Sequence, residues 1–542
     1  MPAPACSQIR EVTSHKVADV KRGFVWAIGL LIAGGIALRL VVLLSPGFTV
    51  NADRAVVYLI ALHASKGDFS ALYWGQQYGG TAISWIAGGI MAVSVASPYV
   101  LYGVTLGMIA VSAVLLCRLT LLALGRTAAV VATAIFAFPG SYLVSQTTDD
   151  GGFYISSVLF GLLAIWLAVD HPLRLPRLRI VGVGLSIGLA LWCSPMGFAI
   201  ALPAALLVVY NRRRVSSVLL LLPGFAVGVL IYLWGLEQWR AGGEAMSQKT
   251  TLFADIFDRT QALFYVLMPA GVPLGHGRGL VLVGTIVIAL IVVLIIGAWR
   301  DRTGITFAFA VGLVLLTVVF VLSGILLVPS AARYDEFFLP GLAFAVAAVA
   351  ARVFAFIGGA LSRQSTRRAV WIVAGCTAVL VVVATTITVR GSANLIALSA
   401  SAAAAREAAG LPTAPAPDGL VMFGEDYALV DSYLESRGIT AVWATYWTSY
   451  SLAAVSNERV TAADIEFGRY APYRAAAAGV TPGVIIEPTG SDVAQTLATS
   501  TTLPYAEMIP NVGGSSIFIY SHPVTGAQLS SVTFTGFATS SD

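Results

Sequence analysis

GFVWAIGLLIAGGIALRLVVLL, Gly23–Leu44, decides the class of this chain. Apart from Arg39 the run carries no charged side chain, and as a helix it is long enough to cross a hydrocarbon core of about 30 Å. It exceeds the apolar part of a signal peptide and no small-residue cleavage site closes it, so it reads as a retained membrane span. The tail before it holds Arg10, Lys16, Lys21 and Arg22, which sets the N-terminus on the cytoplasmic side.

Outward from that run the composition agrees. Hydrophobic residues make up 58% of the sequence and charged residues 11%, with a mean hydropathy of +0.84, far from a soluble globular chain. Similar apolar runs recur through the first three quarters. Between them lie basic clusters: Arg118 with Arg126, Arg174 with Arg177 and Arg179, Arg212 to Arg214, Arg300 with Arg302, and Arg363 with Arg367 and Arg368. All of them fall inside if TAISWIAGGIMAVSVAS, Thr81–Ser97, which is short and broken by glycine, is a re-entrant or interfacial helix in the first outer loop. The expectation is a polytopic α-helical membrane protein with about eleven spans, N-terminus in and C-terminus out.

The expected organisation is a cytoplasmic tail over 1–21, a transmembrane domain over 22–390 with its first outer loop at 46–97, a linker over 391–418 containing LPTAPAPDG, and a small extracytoplasmic α/β domain over 419–542. Within the last, GLVMF, AVWATYW, GVIIEP and SSIFIY read as strands, and YALVDSYLESRG and DVAQTLATS as helices. The net charge of +5 and the pI near 9.0 come mostly from cytoplasmic-loop arginines, which membrane topology explains without nucleic acid. Cys6 lies in the tail, Cys117, Cys193 and Cys376 lie in or at the ends of spans, and the outer domain has none. A disulfide framework or Cys-type zinc site is therefore not expected there.

The non-basic polar features collect outside. The first outer loop reads NADRAVVYLIALHASKGDFSALYWGQQYGGT, Asn51–Thr81. Asp53 stands just beyond the first span, ahead of a segment whose apolar spacing suits a helix along the membrane surface. A carboxylate at that boundary can be made more basic by desolvation and suits general-base work on a hydroxyl; a helix N-cap at Asn51 or Asp53 explains the position as well. Trp74, Gln76 and Tyr78 can stack on and hydrogen-bond a sugar, with glycines letting the backbone approach, or the aromatics can anchor at the interface. Asp149 and Asp150 can orient an acceptor, cap the next helix or bind a divalent metal. The metal ranks last, because hard cations want more oxygen ligands than this pair shows.

Arg333 and Tyr334 precede a late apolar run on the outside, against the usual placement of arginine. They suit a lipid phosphate, and an ion pair with Asp335 or Glu336 is the plainer alternative. Lys249, Arg259, His276 and Arg278 in the long outer loop can serve the same phosphate. In the outer domain, Tyr446, Trp447, Tyr450, Tyr470 and Tyr473 cluster with Arg469 and Arg474. That set suits stacking on sugars, a packed core, or a surface resting on the membrane domain. No Walker loop, dinucleotide fingerprint, His-Glu-x-x-His helix or nucleophile elbow occurs. The absence of a nucleotide site points to an activated substrate already in the membrane.

An acid after the first span, a helix ending in GDF, then YWGQQYGGT, and much later RY before an apolar span and an α/β tail together resemble the GT-C glycosyltransferases. More narrowly the chain is similar to the bacterial branch of protein O-mannosyltransferases and aminoarabinose lipid A transferases. The resemblance implies a polyprenyl-phosphate-dependent hexosyl- or pentosyltransferase of the bacterial plasma membrane. It would transfer with inversion to a glycan, lipid or protein acceptor on the extracytoplasmic side. It implies Asp53 as general base and Arg333, with Tyr334 beside it, as phosphate contact. Many relatives carry a second acid after the first, where this chain has Arg54; one metal ligand is thereby lost, and no cofactor is expected, a divalent cation being the alternative that is not favoured. The rival class is a transporter or flippase of a lipid-linked sugar, which intramembrane charges and internal repeats would favour. No repeat is obvious.

Overall fold

In a computed structural model the described residues are 5–45, 52–148, 152–169, 176–212, 215–242, 278–299, 301, 303–322, 333–362, 366–408, 425–466 and 468–532. The described residues of the apolar three quarters are mostly helical: α1 (Ala5–Leu43), α2 (Ala52–Ser65), α3 (Ala82–Met91), α4 (Pro98–Leu124), α5 (Arg126–Ala137), α6 (Ser141–Thr148), α7 (Tyr154–Ala168) and α8 (Pro176–Cys193). Then come α9 (Pro195–Ala201), α10 (Pro203–Arg212), α11 (Leu222–Ala241), α12 (Arg278–Ala298), α13 (Ile305–Leu322), α14 (Asp335–Ser362) and α15 (Thr366–Ala408).

Six helical segments among the described residues are long and apolar enough to cross a membrane, and α5 with α6, bent by 70° at their break, makes up to a seventh. Ala82–Met91, Tyr154–Ala168, Pro195–Tyr210 and Ile288–Ala298 are apolar but shorter. The expectation of about eleven spans, from hydropathy and loop charge, concerns the whole chain, whereas these segments are counted among the described residues, where Pro139, Pro195 and Pro203 divide apolar runs into shorter pieces. At about 1.5 Å per residue the ten residues of α3 fall short of a crossing.

The break between α5 and α6 explains the charge in the first span. Ala137 ends α5 with its carbonyl unpaired along the helix, and Arg39, 1% exposed, donates to that oxygen from Nη1 at 2.9 Å and to Thr147 Oγ1 from Nε at 2.9 Å. Thr388 of α15 donates to the carbonyls of Phe138 and Pro139 at 3.0 and 2.8 Å. Non-helical backbone is tolerated in a bilayer when neighbouring side chains satisfy it in this way. Arg39 thus has a structural task, and no transport pathway is needed to account for it.

α15 does not end at residue 390. It continues to Ala408, because GSANLIALSASAAAAREA is rich in helix formers and has no proline before Pro412. Beyond it lie α16 (Glu425–Ser436), β1 (Ala441–Ala444), α17 (Tyr446–Val455), β2 (Thr461–Asp464), α18 (Ala471–Ala478), β3 (Gly483–Pro488), α19 (Asp492–Thr499), β4 (Glu507–Val512), β5 (Ser515–Tyr520) and α20 (Gly526–Ser531). The five strands form one sheet in the order β2-β1-β3-β5-β4. β1 is parallel to β2 and β3, and β5 is antiparallel to β3 and β4.

GVIIEP and SSIFIY are strands as expected, whereas AVWATYW is strand only to Ala444. Thr445 N and Oγ1 donate to buried Glu487, and Tyr446 N donates to half-buried Glu466, so carboxylates receive the amides at the start of α17. Burial raises Glu487 to about 8 and Glu466 to about 7. GLVMF lies outside the described residues. A continuous apolar core links the helical bundle to this domain, with α2 facing α17.

Candidate active site

The segment expected to lie along the membrane surface is α2; Ala52 and every residue from Arg54 to Leu62 are buried, with α3 and α17 packed against the helix. Asp53 occupies its first turn, where a negative charge is favoured by the helix dipole.

Its carboxylate gathers groups from four parts of the chain. The Tyr446 hydroxyl, at the start of α17, donates to Oδ1. Arg469 Nη2, from the loop after β2, is 3.4 Å from Oδ1. Arg333 Nη1, just ahead of α14, is 3.7 Å from Oδ2. The Tyr73 hydroxyl donates to the Asp53 carbonyl at 2.6 Å and lies 3.4 Å from Oδ1. Burial pushes the carboxyl's pKa up, but Arg469, then Arg333, the Tyr446 hydroxyl and Arg54 outweigh it and hold the carboxyl below its ordinary range. Desolvation, on which the expected gain in basicity rested, is thus opposed by these neighbouring charges, which favour the ionised carboxylate.

The loop YWGQQYGGT is shaped by close approach. Gly75 has φ +72, and a Cβ there would stand 2.8 Å from Arg469 Cγ and 2.9 Å from its Cα. Only glycine fits this contact without strain. Beside it, Trp74 stacks on Tyr470 with centroids 4.0 Å apart. A cavity of about 240 Å³ opens between the two domains, lined by Trp74, Gly75, Gln76, Gln238, Arg469 and Tyr470 among others.

A second cluster joins α2 to the turn after α17. Glu458 accepts from His63 Nε2 at 2.5 Å, Lys66 Nζ at 2.9 Å and the Tyr473 hydroxyl at 2.6 Å, while His63 Nδ1 meets Asp68 at 2.8 Å. An imidazole between two carboxylates bonds both only when doubly protonated. Burial lowers the His63 pKa, but the hydrogen bonds of Glu458 and Asp68 and their charge raise it on balance. Burial likewise works against the charged form of Glu458, and His63, Lys66 and Tyr473 bring it down to about 2. Tyr58 adds a hydrogen bond to Asn457 at 2.5 Å.

The structure thus brings together Asp53 and Arg333 as sequence reasoning proposed. Tyr334 adjoins Arg333, whose guanidinium carbon is 5.6 Å from its ring centroid; the ring packs against Tyr154, Phe320 and Phe337. Trp74 and Gln76 line the cavity. Tyr78 lies beside Phe153, close enough to Arg333 to act on its charge. Arg54, which follows Asp53, donates to Gln146 at 3.0 Å. Asp149, Asp150, Lys249, Arg259 and His276 lie outside the described residues, as does the side chain of Arg278. Tyr73 was overlooked as a contact of Asp53, although it belongs to the quoted loop. The sequence offers Tyr446 and Arg469 as sugar-stacking groups, packed core or a surface resting on the membrane domain; the structure sets both against Asp53 of that domain, a contact no local signal indicates.

A helical bundle joined to a mixed α/β domain, with an arginine-flanked carboxylate at their junction, is a fold shared with solved membrane-protein structures. ArnT from Cupriavidus metallidurans bound to undecaprenyl phosphate is similar over 91% of this chain and 97% of its own, with TM-score 0.52 and 13% identity. The apo state of the same protein gives 0.53 over 92% and 98%, also at 13% identity. No protein-family pattern matches the sequence, and no curated protein does.

Proposed function

We propose that this chain is a membrane glycosyltransferase that moves a hexosyl or pentosyl group from a polyprenyl-phosphate carrier to an acceptor hydroxyl on the extracytoplasmic face of the bacterial plasma membrane, with inversion. The observation that carries the reading is the Asp53 carboxylate beside Arg333 and Arg469 at the junction of the two domains. The shared fold with ArnT, crystallised with undecaprenyl phosphate, supports the choice of donor.

In this reading the acceptor oxygen attacks the anomeric carbon from the side opposite the phosphate. The bond from that carbon to the phosphate oxygen breaks, its electron pair leaves with polyprenyl phosphate, and the acceptor proton passes to Asp53. A phosphate monoester is a good leaving group, so the chemistry asks for a base and for cations rather than a strong general acid. Arg333 is the main phosphate clamp, with Tyr334, Lys249, His276 and Arg278 in support. As it turns from Asp53 Oδ2 to the phosphate, the carboxylate loses a compensating charge and becomes more basic. Trp74, Gln76 and Tyr78 shape the sugar site, and Asp149 and Asp150 orient the acceptor. Guanidiniums supply the positive charge, so no divalent cation enters the scheme.

The test is release of free polyprenyl phosphate from a panel of polyprenyl-phosphate sugars by the purified protein and by Asp53→Asn. Release should depend on one sugar type and fall by about 10²- to 10⁴-fold in the variant, the range for loss of a general base. Release at the normal rate by Asp53→Asn removes the assignment. Flipping of the same lipids without release favours the transporter reading.

A further inference from the structure

We propose that the C-terminal domain supplies two positioning residues, Tyr446 and Arg469, which fix the Asp53 carboxylate through Oδ1 and leave Oδ2 to Arg333 of the membrane domain. The inference rests on Asp53 being the reacting base. It makes the α/β domain part of the active centre rather than an accessory placed above it.

Both residues follow the carboxyl ends of adjacent parallel strands, Tyr446 just after β1 and Arg469 just after β2. That is the end of an open α/β sheet where ligand-facing groups ordinarily collect. Here the group they face belongs to the same chain. The loop bearing Arg469 is tied down by Asp464: Oδ1 accepts the amide of Gly468 at 2.7 Å, and Oδ2 accepts the amide of Arg469 at 3.2 Å and the Tyr450 hydroxyl at 2.8 Å. The guanidinium then lies 4.4 Å from the ring centroid of Tyr446 and 5.3 Å from that of Tyr73, an arrangement that favours a cation over aromatic faces. Gly75 is the small residue that lets the membrane-domain loop close on it.

Exposure separates the two arginines. The Arg333 side chain is 32% exposed and that of Arg469 7%. A clamp for an incoming phosphate needs access, whereas a group that holds a partner in place needs confinement. Arg333 meets the first requirement and Arg469 the second. The remaining charged or titratable groups around Asp53 are Arg54 on its own helix and Tyr73 from the following loop. Tyr446 and Arg469 are the groups through which the C-terminal domain meets the carboxylate.

The experiment titrates the Asp53 carboxyl in the full-length protein by infrared difference spectroscopy against Asp53→Asn, in parallel with the pH profile of polyprenyl phosphate release. In Arg469→Gln the protonated-carboxyl band should appear at a pH higher by about one unit or more, as expected when an opposite charge near a carboxylate is removed. Tyr446→Phe should shift it in the same direction by less, and Arg469→Lys should lie near the unaltered protein. The acid limb of release should move with the band. An unmoved band in both Tyr446→Phe and Arg469→Gln overturns the proposal even if turnover falls; if Arg469→Gln does not fold, Tyr446→Phe decides alone. Normal release by Asp53→Asn sinks the general-base reading instead, while the infrared titration still decides whether the two residues hold the carboxylate.

Discussion

Asp53 shows how a single charge can be kept at a membrane boundary. Removing a carboxylate from water is costly, and the cost is offset here by neighbouring guanidiniums and two tyrosine hydroxyls. The arrangement depends on how closely the loop after α2 approaches the loop after β2, and Gly75 sets that distance. Gly75→Ala would place a methyl 2.8 Å from Arg469 Cγ on a backbone with φ +72. Strain of about 1–3 kcal/mol is expected for such a position. The guanidinium should shift off Oδ1, lowering both the melting temperature and the rate of polyprenyl phosphate release. Unchanged values of both in the alanine variant would show that the contact is dispensable.

Between elements, the salient contact is the clasp of α2 on the turn after α17. Its pH dependence follows from two opposite shifts. His63 is raised on folding, so its contribution is fully present below its ordinary value of 6.5 and is lost as pH rises through the raised value. Glu458 is depressed to about 2, so its contribution is present above its ordinary 4.5 and is lost as pH falls towards about 2. The clasp should be tightest between about 4.5 and 6.5. Docking of the α/β domain, followed by protease access to the turn, should weaken from neutral pH upward. His63→Gln and Glu458→Gln should each reduce the docking and flatten this profile; an undiminished slope in both would assign it elsewhere, with half-buried Glu466 and buried Glu487 the first alternatives.

Elements also mark how far the sequence could be read. Apolar runs and buried strands such as GVIIEP are legible because local period and composition specify them. β2 is four residues, TAAD, and β4 contains Pro510, so neither carries a strong strand signal. The site divides similarly. Asp53 is legible because it is the first acid after a span, and Arg333 because an arginine at a position expected outside violates a charge rule. Tyr446 is 393 residues from Asp53 in sequence. Its meeting with Asp53 is decided by tertiary docking, which no local pattern encodes.

At the scale of the molecule, the question is which side of the membrane holds the site. Arg118 and Arg126 lie near the junction of α4 and α5, Arg177 and Arg179 at the start of α8, Arg212 at the end of α10, and Arg367 with Arg368 at the start of α15. α15 runs from that basic end to Ala408, so the domain that follows it in sequence, and Asp53 with it, are expected on the opposite side. Basic loops stay cytoplasmic, and the site is therefore expected to face outward. A cysteine at exposed Thr501, in the loop before β4, should react with an impermeant maleimide on intact cells. One at Leu178, 64% exposed beside the basic start of α8, should react only after the cells are opened. Both variants are made in a background without the native cysteines. The reverse pattern would put Asp53 on the cytoplasmic side, where nucleotide-activated sugars are supplied, and would remove the reason for a lipid-carried donor.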